Sequence, residues 1–122
     1  MILADTSVWI DHFRTADATM SNLLVSRWIT MHPFVVGELA LGPLRNRRRT
    51  LADLDLLPLI SAAEDDEVRR MIEGQNLYNR GIGWTDAHLI AAVLISPATQ
   101  LWTRDKPLRT VAESLAIHVV WK

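Results

Sequence analysis

Short apolar segments alternate with amphipathic segments along the whole 122-residue chain, and this alternation strongly constrains the fold. The apolar segments have the length of strands that are buried on both faces. Parallel strands need crossover connections, which the amphipathic segments can supply as helices. We therefore predict a single α/β domain over residues 1–122, an α/β/α sandwich around a central parallel sheet of four to five short strands. The candidate strands are residues 1–4, 28–31, 58–60, 100–103 and 117–121.

Capping residues, glycine and proline predict where the helices begin and end. Pro33 suits the first turn of a helix that Gly42 and Pro43 stop. Spacing of apolar residues predicts a long amphipathic helix over about 64–79. Thr85 is expected to cap the next helix, which is almost wholly apolar after its first turn. Further helices are predicted from Asp5 to Arg14, around 23–25, over 44–57 and over 107–115.

The first predicted strand ends in a carboxylate, Asp5, which is followed at once by the hydroxyl residues Thr6 and Ser7. An acid at this position stands at the carboxyl end of a strand and beside a helix N-terminus. Open α/β sheets bind their ligands at such places. A structural alternative stays open at this point, because Asp5 could simply cap the following helix.

Three further acids stand out by position: Asp105 follows the strand at 100–103, Asp86 lies in the first turn of an apolar helix, and Glu38 has mostly apolar neighbours. Each also has a structural explanation. Asp105 could be a turn residue, Asp86 could favour the helix dipole, and Glu38 could occupy a solvated stripe.

Convergence at one edge favours a functional role for all four acids. The carboxyl ends of the strands and the starts of the following helices share one edge of a doubly wound sheet. Four carboxylates there would repel one another unless divalent ions neutralised them. Oxygen ligands without His or Cys favour hard ions such as Mg²⁺ or Mn²⁺. Such ions suit phosphodiester hydrolysis.

Four motifs in order resemble the PIN-domain family, and within it the VapC toxins of VapBC toxin–antitoxin systems: I-L-A-D-T-S, F-V-V-G-E-L, T-D-A-H-L-I-A-A and L-W-T-R-D-K. The resemblance spans nearly the whole chain. It implies a Mg²⁺- or Mn²⁺-dependent endoribonuclease, the toxin of a type II pair. The implied catalytic residues are Asp5, Glu38, Asp86 and Asp105. Of these, Asp5, Asp86 and Asp105 would be metal ligands, while Thr6 and Thr103 would orient carboxylates or water.

The resemblance also implies partners. They are an RNA substrate, a second copy of the chain, and a VapB-type antitoxin whose C-terminal segment blocks the active site in a hetero-oligomer. Many family members carry a further acid a few residues after the last one, where this chain has residues 106–109, K-P-L-R. This departure leaves a second metal position open.

Charge and composition narrow the possible ligands and the possible cellular location. The net charge of −1 does not draw the protein to nucleic acid or membrane, so a polyanion site needs local charge or metal. No segment is long enough to be a bilayer-spanning helix, no signal peptide is recognisable, and the absence of cysteine allows a reducing compartment, so we expect a cytoplasmic protein. The candidate RNA- or antitoxin-binding cations are Arg45, Arg47, Arg48, Arg49 and Arg104; the first four could equally form a solvated helix face.

Two other functions compete with the ribonuclease. A phosphoryl-transfer protein is disfavoured, because Asp5 lacks a second aspartate two residues later. A catalytically silent module that binds RNA or protein would keep this fold without the activity, and the presence of all four acids counts against it.

Overall fold

A three-stranded parallel sheet lies at the centre of the computed structural model, which describes residues 1–122 throughout. Its strands are β1 (Ile2–Ala4), β2 (Ile29–Thr30) and β3 (Gln100–Trp102), in the order β2-β1-β3. The predicted α/β fold with a parallel sheet is confirmed. The helices are α1 (Thr6–Arg14), α2 (Ala18–Val25), α3 (Pro33–Ala40), α4 (Arg47–Leu54), α5 (Asp65–Gly74), α6 (Trp84–Leu94) and α7 (Lys106–Ser114).

The two outer candidate strands are reduced to single bridges, so the sheet has three strands rather than four to five. Leu59 bridges Met31 at one edge, and His118 bridges Leu101 at the other, both in parallel orientation. Pro58 has no backbone N–H with which to extend the first bridge. Beyond the second, the carbonyl of Val119 accepts from the Arg109 side chain at 3.3 Å instead of from a strand.

The order of the strands places a topological switch point between β1 and β3. From β1 the chain moves to β2 and the Leu59 edge, and then returns to β3 on the opposite side of β1. In open α/β sheets, ligands bind in the crevice at the carboxyl ends of the strands beside such a switch. Ala4 pairs with Trp102, so Asp5 and Thr103 are the first residues beyond the paired ends of these strands.

One continuous core of 24 buried residues surrounds the sheet. Helix α6 contributes an unbroken buried run over residues 87–93, which explains its apolar composition. Helix α1 packs on β1 and α3, whereas α6 packs on β3 and α5. The tryptophans divide, with Trp9 and Trp102 buried and Trp28 and Trp84 exposed.

Several helix boundaries differ from the prediction. Helix α5 ends at Gly74 rather than near residue 79, because Asn76 and Asn79 adopt left-handed backbone with φ of 53° and 60°. Gly83 rather than Thr85 is the N-cap of α6, since its backbone N–H is bound by the Asp86 side chain.

The boundaries of α4 and α7 also differ from the prediction. Helix α4 is confined to Arg47–Leu54, with Asn46 before it in left-handed conformation. Helix α7 begins at Lys106, with Asp105 as its N-cap. No helix in the structure is long and apolar enough to cross a bilayer.

Candidate metal and active site

Asp5 is a buried carboxylate at the carboxyl end of β1, with only 5% of its surface exposed. Its Oδ1 accepts from the Ser7 hydroxyl at 2.5 Å and from the backbone N–H of Val8 at 3.2 Å. Its Oδ2 accepts from the Thr103 hydroxyl. Burial raises the pKa of Asp5 and the charge of Asp86 adds to the rise, while the three hydrogen bonds oppose it. Asp5 therefore caps α1, and its ionised form is costly at this buried position.

Two hydroxyl groups tie the end of β1 to the segment after β3. Thr103 accepts a hydrogen bond from the backbone N–H of Asp105 at 3.0 Å, in addition to donating to Asp5. Ser7 accepts from the backbone N–H of Arg104 at 3.0 Å and donates to the same carboxylate. The orientation of Asp5 is thus coupled to the backbone that presents Asp105.

Asp105 is the exposed N-cap of α7, and its Oδ2 accepts from the backbone N–H of Leu108 at 3.1 Å. Asp86 is half-buried in the first turn of α6, and its Oδ2 accepts from the backbone N–H of Gly83 at 3.0 Å. Burial raises the pKa of Asp86, and the negative charges of Asp105 and Glu38 raise it further.

Glu38 lies on the exposed face of α3, between the buried residues Val35 and Leu39. It accepts a hydrogen bond on Oε1 from the Thr6 hydroxyl at 2.7 Å. Thr6 follows Asp5 directly, so this bond brings the fourth acid to the end of β1. Glu38 is thus on the solvated stripe of α3 and also beside the end of β1.

The structure therefore brings the four acids and both threonines to one edge of the sheet. The charge of Asp86 acts on Asp5, and the charges of Asp105 and Glu38 act on Asp86. Ser7 belongs to this set as well, although the sequence marks it only as a hydroxyl residue after Asp5. Its position two residues after Asp5, at the start of a helix, is the signal that could have identified it.

The donor chemistry of this site fits a hard divalent ion. Asp86, Asp105 and Glu38 each bind the protein through one carboxylate oxygen and leave the other without an intramolecular hydrogen bond. No three acidic or histidine side chains are placed to hold an ion directly between them. Mg²⁺ usually keeps several waters and takes only one or two protein carboxylates, so these donors suit an ion held partly through water.

Comparison with known proteins places the chain in a family. The PIN-domain family model matches residues 2–114. This chain belongs to the PIN-domain family. The protein named Ribonuclease VapC32, from Mycobacterium tuberculosis strains CDC 1551 and H37Rv, is 44% identical over 115 residues, which is 93% of each chain. That similarity assigns this PIN domain to the VapC group.

The candidate arginines of this PIN domain have different surroundings. The Arg47 guanidinium donates to the carbonyls of Ala40 and Gly42, and so closes the C-terminal end of α3. Arg48 and Arg49 are exposed on α4. Arg45 lies in the connection before α4, beside a pocket that also reaches Glu38.

Arg104 is not a free cation, although it is adjacent to Asp105. Its guanidinium donates to Asp11 at 3.0 Å, to Asp17 at 2.6 Å and to the carbonyl of Lys122 at 3.0 Å. The group also lies 5.4 Å from the ring centre of Trp102. Arg104 therefore anchors α1, α2 and the C-terminal residues to the end of β3.

Two of the four histidines of this PIN domain, His32 and His88, make buried structural contacts. His32 is fully buried and caps α3, because its Nδ1 accepts from the backbone N–H of Phe34 at 3.0 Å. Burial lowers the pKa of His32 to about 4, with a further contribution from His88. His88 is buried between the rings of Phe34 and Trp84, at 4.5 and 4.6 Å.

Proposed function

We propose that this PIN domain is a Mg²⁺- or Mn²⁺-dependent endoribonuclease that acts as the toxin of a type II toxin–antitoxin pair. The observation that carries this proposal is the meeting of Asp5, Glu38, Asp86 and Asp105 at the switch point of the sheet. The similarity to a protein named as a ribonuclease supports RNA as the substrate.

The four acids have different tasks in this proposal. Asp5, Asp86 and Asp105 hold the divalent ion, and Glu38 completes the acidic cluster from α3. When bound, the ion supplies activation of water and stabilisation of the departing oxygen in phosphodiester hydrolysis. Burial and mutual repulsion make the ionised acids costly in the free protein, which favours cation binding.

The hydroxyl residues orient these acids. Thr6 holds Glu38, and Thr103 and Ser7 hold the two oxygens of Asp5. Residues 106–109, K-P-L-R, supply no additional acid after Asp105. We therefore propose one tightly bound ion, with any second ion recruited by the substrate phosphate.

The resemblance to VapC toxins adds a cellular location and protein partners to the proposal. The protein would act in the cytoplasm, as a homodimer and in a hetero-oligomer with a VapB-type antitoxin that covers the acidic cluster. Because the free acids repel one another, a cationic antitoxin side chain could neutralise them as a metal ion does.

A catalytically silent module that binds RNA or protein is the second candidate. The observation in its favour is that no three acidic or histidine side chains are placed to coordinate one ion directly. On this alternative the cluster would stay protonated in part or pair with a partner's cations.

Cleavage of a mixed, structured RNA pool by purified, antitoxin-free protein separates the two candidates. Reactions would contain Mg²⁺, Mn²⁺ or chelator, and would compare the unsubstituted protein with Asp86→Asn and with the matched surface variant Asp53→Asn. The nuclease predicts discrete fragments that need metal, disappear with Asp86→Asn and persist with Asp53→Asn. Fragments ending in 3′-hydroxyl and 5′-phosphate would indicate attack by water rather than by the neighbouring 2′-hydroxyl.

The silent module predicts a folded protein that yields no metal-dependent fragments from any RNA. Cleavage that survives Asp86→Asn in purified protein would show that the acidic cluster is not the active site.

A further inference from the structure

A pocket of about 530 Å³ opens beside Glu38, between the end of α1, helix α3 and the connection that leads into α4. Its apolar lining includes Ile10, Phe13 and Leu39. Ile10 is 41% exposed, although it is a large apolar residue on a helix that packs against the core. The volume lies within the usual range of binding sites for small molecules.

Helix α1 makes this pocket continuous with the acidic cluster. Thr6, Ile10 and Arg14 are spaced by four residues and so share one face of the helix. Thr6 bonds Glu38 at 2.7 Å, while Ile10, Arg14 and Glu38 line the pocket. The lined face therefore extends from the acids along α1, with Arg14 roughly 12 Å along the axis from Thr6.

Two arginine side chains at the pocket are unpaired. Arg14 and Arg45 are exposed and form no salt bridge or side-chain hydrogen bond within the protein. Their state contrasts with that of Arg47 and Arg104, whose guanidinium groups are occupied by carbonyls and carboxylates. Two free guanidinium groups against one carboxylate, that of Glu38, favour a ligand that carries more than one negative charge.

We propose that this pocket binds a nucleotide of the RNA strand that flanks the scissile phosphate. The base lies on the apolar surface of Ile10 and Phe13, and the adjoining phosphates contact Arg14 and Arg45. This inference rests on the proposed ribonuclease function and adds a substrate subsite to it.

Single-stranded RNA matches both halves of the pocket. It presents an unstacked base, which aromatic and apolar side chains bind, next to phosphates, which arginines bind. Phe13 is suited to this role because its ring packs against that of Trp9, with the ring centres 5.7 Å apart and the planes tilted by 39°. A purely electrostatic patch would not explain the exposed apolar surface of Ile10.

Binding of short, fluorescently labelled single-stranded RNA tests the phosphate contacts. The Asp86→Asn protein without metal serves as the background, so that the RNA stays intact. Adding Arg14→Gln and Arg45→Gln should weaken binding at least tenfold. The slope of log affinity against log salt should become shallower by about 1.4, the value for two lost phosphate contacts on a single strand.

The matched control removes two other exposed arginines, as Arg27→Gln with Arg69→Gln. Neither residue lines the pocket beside Glu38, and their guanidinium groups form no salt bridge. This control should leave affinity within about threefold, since it changes the net charge equally but not the pocket. Equal losses in the two double variants would overturn the subsite.

An abasic strand of the same length tests the base contact. The Phe13→Leu change keeps an apolar side chain but removes the aromatic face, and should weaken binding of normal RNA about fivefold or more. It should not alter binding of the abasic strand. Equal effects on both strands would overturn the placement of the base.

Cleavage kinetics of proteins with an intact acidic cluster distinguish the proposed nucleotide subsite from the proposed ribonuclease function. The Arg14→Gln, Arg45→Gln variant should raise KM about tenfold and leave kcat within twofold, because the contacts exist before and during the reaction. Unchanged KM and RNA affinity would overturn the subsite, while cleavage by the unsubstituted protein would leave the ribonuclease standing. No RNA binding and no cleavage by the unsubstituted protein would overturn both.

Discussion

The Thr103 hydroxyl donates to the carboxylate of Asp5, while its oxygen accepts the backbone N–H of Asp105 at 3.0 Å. The Thr103 side chain therefore links Asp5, at the end of β1, to the backbone of Asp105, which follows β3. Asp5 is buried, and its ionised form depends on such donors because little bulk water reaches it. Thr103 should consequently matter more for the electrostatics of the site than for packing.

Replacing Thr103 with valine should test this arrangement, because valine keeps the shape and removes the hydroxyl. We expect kcat/KM for RNA cleavage and the affinity for Mn²⁺ to fall about 10–100-fold. The free energy of unfolding should fall by roughly 1–3 kcal/mol, since Asp5 loses a buried donor. Kinetic assays, calorimetric Mn²⁺ titration and urea unfolding measure these effects. Thr103→Ser should restore all three, and a valine variant with normal metal affinity would contradict the role.

Removing the charge of Asp86 should stabilise the protein when metal is absent. Burial and the neighbouring acids raise the pKa of Asp86 in the folded state. The folded protein then binds this proton more tightly than the unfolded chain, so stability is lost as pH rises through the folded-state pKa. At pH 7 with chelator, Asp86→Asn should raise Tm, because its amide oxygen can still accept the Gly83 N–H.

Scanning calorimetry measures this difference, with Asp53→Asn as the exposed control. Mn²⁺ should raise Tm of the unsubstituted protein and of the control much more than that of Asp86→Asn. A lower Tm for Asp86→Asn in chelator, or an equal response to Mn²⁺, would contradict the electrostatic account.

Replacing Arg104 with glutamine should destabilise the protein without abolishing RNA binding. The change removes the ion pairs to Asp11 and Asp17 and the bond to the carbonyl of Lys122. These groups are partly exposed, so we expect a loss of roughly 1–2 kcal/mol in unfolding free energy. Urea unfolding and RNA titration measure the two quantities. Normal stability with lost RNA binding would show that Arg104 contacts the substrate instead.

His32 should make the protein acid-sensitive. An ordinary histidine titrates near 6.5, whereas burial lowers the pKa of His32 to about 4. Between these values the unfolded chain binds the proton and the folded protein does not, so stability present above pH 6.5 is lost toward pH 4. The full effect is roughly 3 kcal/mol.

Urea unfolding across pH 7 to 5 measures this loss, with His32→Asn as the comparison. Asparagine keeps a side-chain acceptor for the helix cap but does not titrate. Its stability should vary less with pH over this interval, even if it is lower throughout. Asp5 and Asp86, whose pKa values are raised, contribute with the opposite sign in both proteins. Parallel curves for the two proteins would contradict the assignment to His32.

The sequence was sufficient to predict the parallel sheet and the meeting of the acids. Asp5 and Asp105 follow apolar runs, and the carboxyl ends of parallel strands must lie at one edge. Helix capping was an alternative for Asp5, the helix dipole for Asp86 and a turn for Asp105; in the structure all three carboxylates bind backbone N–H groups at helix N-termini and also lie at the shared edge of the sheet. Asp86 and Asp105 each bind a helix N-terminus with one oxygen and keep the other without an intramolecular hydrogen bond.

Contacts between residues distant in sequence could not be predicted in the same way. Arg104 is adjacent to Asp105 in sequence, yet its side chain is taken by Asp11 and Asp17. No pattern in the sequence marks Arg14 as a candidate binding residue. It lines the pocket beside Glu38 because α1 and α3 pack together. The predicted helix over about 64–79 was too long, since apolar spacing continued to Leu77 after the backbone had turned.

The rate of cleavage of one RNA substrate, measured against Mn²⁺ concentration, tests the central claim most directly. The account predicts a rate that saturates with Mn²⁺, vanishes with chelator and falls by about 10³-fold in Asp86→Asn, the loss expected when several kcal/mol of transition-state stabilisation disappear. The Asp53→Asn protein should match the unsubstituted protein. Cleavage that persists in chelator, or that Asp86→Asn retains, would contradict the proposal that these four acids form a metal-dependent ribonuclease site.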